Sequence, residues 1–428
     1  MKSIYSVFTP LLLLLLIAMG TTPAAAQQTR DLQNFRAPDR SGLNIFEAPK
    51  ETDSTFDGLR VRIGGSNTLQ FQGLDHSNSG SSLQEIGTDF NLATSNLDLD
   101  VQLHNGLRMH LRTYLSSRHH AEAWVKGGYL QVDRLDFIAE DFLSELMDRV
   151  TIKVGHMEIN YGDAHFRRSD NGQAIYNPFV GNYIMDSFTT EVGGEIYYRD
   201  NGFLAMVGLT NGRLNQTVVR GTGPATRPSI VGKLGYDRQI DEDLRVRVTG
   251  SLYTTSQSAA INLYGGDRAG ARYYNVMTTS PDDFRTGRFN PGFSTPADGG
   301  KMTAIMINPF VKYRGLEFFG LYENATGRSG AETDNRTFHQ LGAELLYRFG
   351  GNEDLYIGGR YNLVTGEQAG TGRDIDITRY NIGGGWFMTN NILAKLEYVR
   401  QSYDGFAPAT TFHDGRFHGI MLEAVVSF

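Results

Sequence analysis

Apolar and polar residues alternate through most of the chain from about residue 60 onward, the period-two pattern of strands that bury one face. One segment places aliphatic side chains on one face and polar ones on the other: Leu97, Leu99, Val101 and Leu103 against Asn96, Asp98, Asp100 and Gln102. The end of the chain repeats the pattern, with one apolar face formed by Ile420, Leu422, Ala424, Val426 and Phe428. The pattern predicts an all-β fold.

The connections between the predicted strands alternate between short and long. Tight turns are predicted at 104–106, 200–202, 238–243, 314–315, 350–354 and 388–391. Longer connections are predicted at 75–89, 160–187, 211–228, 256–301, 325–336, 364–376 and 402–416, and a short helix at 139–148. Short turns at one end and long loops at the other are typical of antiparallel transmembrane β-barrels, with turns in the periplasm and loops outside the cell. We predict a closed barrel of about 16 strands.

The start of the chain has the features of an export signal. Lys2 supplies a positive charge, residues 11–19 are apolar, and three alanines at 24–26 form a small-residue cleavage site. We therefore predict a cleaved signal peptide over residues 1–26. A terminal amphipathic strand that ends in Phe428 is typical of bacterial outer-membrane barrels. Export and this last strand together predict a location in the outer membrane, in contact with lipid and lipopolysaccharide.

The stretch from 27 to 59 does not share the strand pattern. It is polar and contains Pro38 and Pro49. Three interpretations stay open for it: a periplasmic extension, a segment lying in the pore, or a disordered leader. The predicted barrel then occupies residues 60–428.

Composition removes several classes of protein. The chain has no cysteine, which excludes disulfides, thiolate metal sites and cysteine nucleophiles. Its formal net charge of −7 argues against nucleic acid as a partner, because phosphate binding needs a basic surface. After loss of the signal peptide no apolar run of about 18 residues remains, which argues against helical membrane spans. We predict no metal or other cofactor.

If the apolar face of each strand meets lipid, the polar face lines the lumen. The predicted inward cations are Arg62, Arg108, Arg112, Lys153, Arg199, Lys233, Arg245, Arg247, Arg348, Arg360, Arg379 and Lys395. The predicted inward acids are fewer: Asp98, Asp100, Glu191, Glu195, Glu344 and Glu397. Rings of Arg and Lys favour anions, so we hypothesise an anion preference. The alternative is that these cations lie at the rims or pair with carboxylates on neighbouring strands.

Among these residues, our candidates for the pore lining are Arg108, Arg112, Arg245, Arg247, Arg360, Arg379 and Lys395. The long connection after the fifth strand adds candidates for a constriction: Asp163, Arg167, Arg168 and Asp170. Its tyrosines and phenylalanines need a surface to pack on, so we expect it either to fold into the pore or to form an ordered surface loop. The connection at 256–301 is a second candidate for a basic vestibule, through Arg268, Arg272, Arg285 and Arg288.

The chain resembles sixteen-stranded porins of Gram-negative bacteria, and among them the phosphate-selective porin O and P family. The resemblance covers most of the mature chain and rests on the strand rhythm, the Val-Gly-His stretch at 154–156, the following Tyr161-Gly162 and the terminal Phe428. It implies a homotrimer that gives passive diffusion of small hydrophilic solutes, anions among them. The arginine ladder of the phosphate-selective members has no residue-by-residue match here.

Two other functions are compatible with an outer-membrane barrel. A substrate-specific outer-membrane channel for a small organic solute differs from a general porin only in the chemistry of its pore loops. A barrel enzyme would need a nucleophile held beside a base, and no such motif is found, so no catalytic residue is predicted.

Overall fold

The computed structural model describes residues 32–116, 123–169, 173–214, 218–219, 223–265, 272–281 and 286–428. The described residues form sixteen strands, joined by turns, loops and a few single helical turns. The strands are β1 Arg60–Ser77, β2 Asp89–His104, β3 Leu107–Ser116, β4 Trp124–Val132, β5 Val150–Glu158, β6 Thr190–Asp200, β7 Phe203–Thr210, β8 Ser229–Gln239, β9 Leu244–Ser258, β10 Gly300–Tyr313, β11 Leu316–Ser329, β12 Arg336–Phe349, β13 Leu355–Gln368, β14 Arg373–Phe387, β15 Ile392–Asp404 and β16 Gly415–Ser427.

Every strand pairs with its neighbours in sequence, and the last strand pairs with the first. The result is a closed antiparallel barrel in the order of the chain. At the seam, the backbone of Gly65 in β1 and the backbone of Phe428 exchange two hydrogen bonds of 3.0 Å each. The predicted all-β fold, strand number and closure are confirmed. Closure leaves no open sheet edge, so the strand backbones find their partners within the protein.

The two faces of the wall differ as the alternation predicts. Leu97 and Val207 each expose 58% of their surface on the outside, whereas Asp98 on the lumen side exposes 3%. Large exposed aromatic side chains mark the outer face at the short-turn end: Tyr198, Phe203, Tyr313, Tyr347, Phe349, Trp386 and Phe428. Such an aromatic girdle below an apolar band is typical of barrels that sit in lipid.

Two predicted elements differ in length from those observed. The helix predicted at 139–148 is wrong in extent, because only one α-helical turn forms at Ser144–Met147. Asp141 and Leu143 both take positive φ, 55° each, which stops a helix from continuing through them. Several loops at the opposite end of the barrel from the tight turns are also shorter than predicted; β13 and β14, for example, leave only residues 369–372 between them. Among the described residues, no helix is long and apolar enough to cross a membrane.

The lumen contains a hydrophobic core of its own, to which β6–β16 contribute. Met306, Phe310 and Phe319 are fully buried on the inner face of β10 and β11. They belong to one cluster with Ile184 and Met185, which lie in the loop between β5 and β6. These two strands therefore carry apolar residues on both faces, because one face meets lipid and part of the other packs on that loop.

The outer face provides a direct test of the membrane assignment. We expect Val207→Arg to lower the free energy of unfolding by about 2–4 kcal/mol, because it places a charge in the middle of the lipid-facing band. Val218→Arg, the same change at a fully exposed loop position, should have little effect. The measurement is urea unfolding in phospholipid vesicles. Equal stability of the two variants would show that the outer face does not lie in lipid.

Candidate functional site in the barrel lumen

A long loop crosses the inside of the barrel. This inner loop, residues 159–169 and 173–189, leaves β5 and returns at β6 after contacting the opposite wall. Its buried contacts are hydrogen bonds from the Tyr161 hydroxyl to Glu323 of β11 (2.9 Å), from Val180 N to Glu397 of β15 (2.7 Å) and from Ile184 N to Asn362 of β13 (2.7 Å). Because these partners lie on distant strands, the loop spans the lumen and narrows it.

The residues before β1 also lie inside the wall. This amino-terminal segment, residues 32–59, runs along the short-turn end of the barrel. Its contacts reach strands and turns on opposite sides: Gln33 N to Gln102 (3.1 Å), Asn44 to Glu317 (2.8 Å), the ring of Phe46 to that of Phe310 (5.4 Å) and Lys50 to Asp133 (3.2 Å). The segment and the inner loop touch where the rings of Phe46 and Phe166 meet edge to face at 5.8 Å.

A buried cluster of charges joins the wall, the inner loop and the amino-terminal segment. Arg247 of β9 lies 2.8 Å from Asp163 of the inner loop and 2.9 Å from Glu47 of the segment. Lys233 of β8 adds a second cation 2.9 Å from Asp163. All four side chains are buried. Buried charges are stable only when paired, so removal of one partner is expected to loosen all three elements.

The acids of this cluster remain ionised far below neutral pH. Burial raises the pKa of Asp163, but the positive charges of Arg247 and Lys233 outweigh burial and lower it to about 2. The same balance holds the pKa of Glu47 well below its ordinary value, with burial opposed by Arg247 and Lys233. The link between wall, loop and segment is therefore complete at neutral pH.

A second buried cluster is built around Arg167 of the inner loop. Its guanidinium lies 2.7 Å from Glu317 and 3.3 Å from Glu344, and it donates a hydrogen bond of 2.6 Å to the Asn44 side chain of the amino-terminal segment. Arg168 instead pairs with Asp186 of the same loop at 2.6 Å. Both arginines therefore fix the loop and are not open to the lumen. Asp170 lies outside the described residues.

Three of the predicted pore-lining cations lie beneath the inner loop. Arg360, Arg379 and Lys395 face the lumen and are buried. Each donates to backbone carbonyls of the loop: Arg360 to Gly181 (2.6 Å), Arg379 to Asn182, and Lys395 to Ala174 (2.7 Å). The loop thus covers them, and they act as anchors for it.

A charged cavity of about 180 Å³ remains between the walls of β1–β6, the inner loop and the amino-terminal segment. Arg108 and Arg112 of β3 line it. Arg108 lies 3.0 Å from Asp100, and Arg112 lies 2.5 Å from Asp98. These carboxylates of β2 are therefore neutralised by the cations beside them. We refer to this space as the lumen cavity.

Two further cations, Lys153 and Arg36, line the lumen cavity. Among the described residues, none places a carboxylate oxygen within 4.0 Å of Lys153 of β5 or Arg36 of the amino-terminal segment. Lys153 lies between the rings of Tyr129 and Tyr197, and Arg36 lies 3.7 Å above the ring of Tyr176. Burial lowers the pKa of the Arg36 guanidinium, which keeps its charge at neutral pH all the same. The cavity therefore has exposed positive charge.

Two wider openings flank the amino-terminal segment at the short-turn end. One, of about 610 Å³, lies beside Arg40 and is also lined by Arg245. The other, of about 590 Å³, lies beside Glu47 and is lined by Arg245 and Arg247. Arg245 is itself paired with Asp237 at 2.7 Å. The segment thus divides this end of the barrel.

Several lumen residues were missed by sequence reasoning. Glu317 and Glu323 lie on β11, where apolar residues on both faces hid which face turns inward, and Glu423 lies on β16. Lys126, which lines the lumen cavity, sits at a shift in register between β3 and β4 that breaks the simple alternation. Glu47 and Arg36 lie in a segment without any periodic pattern.

The second loop predicted as a basic vestibule is instead packed into the barrel. Arg272 is buried and lies 2.6 Å from Glu423, and Arg288 donates to the carbonyl of Tyr264 at 2.8 Å. Arg268 and Arg285 lie outside the described residues. Within the described ranges, no three His, Cys, Asp or Glu side chains are grouped so that they could hold a metal ion.

Known structures share this architecture. The chain is similar to an anion-selective porin from Comamonas acidovorans (TM-score 0.55, 11% identity, covering 86% of this chain and 100% of that one). It is also similar to the trimer form of OmpT, an outer-membrane protein of Vibrio cholerae (0.52, 12%, 87% and 100%). A third similar structure is the outer-membrane channel DcaP of Acinetobacter baumannii (0.50, 11%, 87% and 99%). At these identities the likeness shows the fold, which is that of outer-membrane barrels.

Sequence comparisons do not identify a family for this chain. No family model matches the chain, and no curated protein matches it. The resemblance to the phosphate-selective porin O and P family therefore stays a prediction.

The buried acids predict how the amino-terminal segment responds to acid. Because the pKa of Asp163 is lower in the folded protein (about 2) than its ordinary 3.8, its stabilising effect is full above pH 3.8 and is lost as pH falls through about 2. A spin label on Glu51→Cys, an exposed position in a chain without cysteine, should stay immobile at pH 5 and gain mobility toward pH 2.

The same label placed in a Glu47→Gln variant tests whether the charge cluster holds the segment. This substitution removes one carboxylate from Arg247, so the label should already be more mobile at pH 7 than in the parent protein. A label at Val218→Cys, in an exposed loop, should show no acid transition of this kind. If the Glu51 label moved equally at pH 7 and pH 2, the charge cluster would not hold the segment.

Proposed function

We propose that this protein is an outer-membrane channel for the passive diffusion of small hydrophilic solutes, with a preference for anions. The observation that carries the proposal is the lumen cavity, a charged space inside a closed barrel whose outer face suits lipid. Solutes would pass along the walls of β1–β6, since the inner loop and the second loop fill the opposite side of the lumen. The proposal assigns no reaction to the protein.

The charge distribution supports the anion preference. The cavity acids of β2 each have cationic partners: Asp98 pairs with Arg112, and Asp100 lies between Arg62 (3.1 Å) and Arg108 (3.0 Å). Among the described residues, no carboxylate lies within 4.0 Å of Lys153 or Arg36, so these two cations leave the positive charge in excess. A fixed positive charge in a narrow, poorly hydrated space raises the local concentration of anions. The fold is also shared with a porin described as anion-selective.

The proposal includes the surroundings of the channel. The chain would be exported by the signal peptide at 1–26, would sit among lipid and lipopolysaccharide, and would form a homotrimer, as the trimer form of a structural neighbour supports. The short turns and the amino-terminal segment would face the periplasm. We propose that the segment narrows the channel there, because it crosses the short-turn end between two larger openings.

A substrate-specific channel is the second candidate. The size of the lumen cavity favours it, because about 180 Å³ leaves room for one small molecule at a time. A general porin would pass sugars of graded size in liposome swelling, whereas a specific channel would pass only solutes that fit the cavity.

Ion selectivity tests the main proposal. Purified protein in a planar bilayer under a potassium chloride gradient should give a reversal potential of the same sign as the equilibrium potential of chloride. Lys153→Gln should shift this potential toward zero, because it removes a cavity cation that has no carboxylate within 4.0 Å among the described residues. The control is Lys301→Gln, a lysine on the outer face of β10. Preference for potassium in the parent protein would contradict the proposal.

Removal of the amino-terminal segment tests its narrowing role. Deletion of residues 32–56 should raise single-channel conductance several-fold, because it joins the two openings at the short-turn end. The double variant Glu51→Ala, Asp53→Ala changes two exposed residues of the same segment and should conduct like the parent. An unchanged conductance after the deletion would show that the segment does not lie in the path of the ions.

A further inference from the structure

Lys153 is held by aromatic rings instead of by an acid. Its ammonium lies 5.4 Å from the ring centroid of Tyr129 on β4 and 5.4 Å from that of Tyr197 on β6. These strands flank β5, so the lysine is framed on both sides by the wall itself. Cation–π contacts hold the ammonium in place but leave its charge uncompensated. A ligand that reaches it meets a positive charge between two flat apolar surfaces.

A second cation of the lumen cavity has a similar arrangement. Arg36 of the amino-terminal segment lies 3.7 Å above the ring of Tyr176 and 6.0 Å from the ring of Phe166. Two of its nitrogens donate to the carbonyl of Phe166 and its Nε donates to Gly42, so its position is fixed by backbone acceptors. The cavity therefore has two positive charges set among rings.

The size and the acids of the cavity restrict what fits. About 180 Å³ suits a molecule of roughly one aromatic ring with a small substituent. Glu158 also lines the cavity, and its carboxylate would repel a ligand with several negative charges more strongly than a ligand with one. Rings and single cations together favour a ligand with one negative charge and a flat apolar body.

We propose that the lumen cavity is a binding site for a small aromatic or similarly flat organic monoanion, with its carboxylate at Lys153 and its apolar body against Tyr129 and Tyr197. This inference rests on the proposed channel function and names its substrate class. A hydrated inorganic anion such as phosphate would gain little from the rings, since recognition of phosphate depends on many polar donors. The cavity is thus a selective binding site on the diffusion path.

Benzoate is the probe for the test. It should reduce the single-channel chloride current in a saturable manner, and phosphate and the neutral benzyl alcohol at equal concentration should do so much less. Lys153→Met should weaken block about tenfold or more, the loss expected for one charge-assisted contact. Lys153→Arg, which retains the charge, should keep most of the block.

Two further variants separate the ring contribution from the charge. Tyr129→Leu should weaken benzoate block while the reversal potential keeps the sign of the chloride equilibrium potential, because the cation remains. Lys301→Met, on the outer face, should leave the block unchanged. Equal block of the parent and Lys153→Met, equal block by benzoate and phosphate, or a loss of block in Lys301→Met would overturn the binding site.

Failure of the channel function can be told from failure of the site. Absence of any chloride current in the parent protein would refute the proposed function alone. Calorimetric titration of benzoate into the detergent-solubilised protein measures binding independently of any ion current. Binding there that Lys153→Met abolishes would support the site, and absence of binding to the parent protein would overturn it.

Discussion

Closure of the sheet between β1 and β16 is the constraint on which the other features depend. In lipid a strand backbone without a partner is very costly, so the wall must be a complete ring. Once the ring is complete, the alternation of side chains assigns every second residue to lipid and every other one to the lumen. The charged residues of β2, β3, β5 and β9 are inside because the neighbouring aliphatic residues are outside. The lumen chemistry is thus a consequence of the hydrogen-bonded ring.

What fills the ring follows from the cost of buried charge. An isolated charge in a narrow lumen is unfavourable, and the wall carries many of them. The inner loop and the amino-terminal segment supply partners: Asp163 and Glu47 for Arg247, and loop carbonyls for Arg360 and Lys395. Pairing of this kind fixes position more than it adds stability, because the desolvation of each ion offsets most of the attraction. Within the described part of the chain, Lys153 and Arg36 are lumen cations without an acid beside them, and both line the lumen cavity.

The sequence predicted the wall far better than its contents. Period-two alternation is a local signal, so β2 with Leu97 and Asp98 on opposite faces was predicted correctly. The signal fails on β10 and β11, where Phe310 and Phe319 face the lumen because a loop distant in sequence packs on them. The partnership of Glu47 with Arg247 joins residues 200 positions apart, and no local pattern encodes it. Interpretation of residues 27–59 stayed open for that reason, whereas the inward-facing arginines followed from strand phase alone.

The position of the amino-terminal segment constrains how the molecule assembles. Its charged side chains gain their partners on β8, β9 and the inner loop only when those elements surround the segment. The segment is therefore not stably bound before the barrel has formed. Binding of the segment inside the barrel and closure of the barrel are therefore coupled steps of assembly. A bulky domain fused ahead of residue 32 would have to stay outside the barrel at the short-turn end. If the domain entered the lumen, it would hinder the pairing of β1 with β16 that closes the barrel. Tolerance of such fusions is consequently a property of barrel assembly.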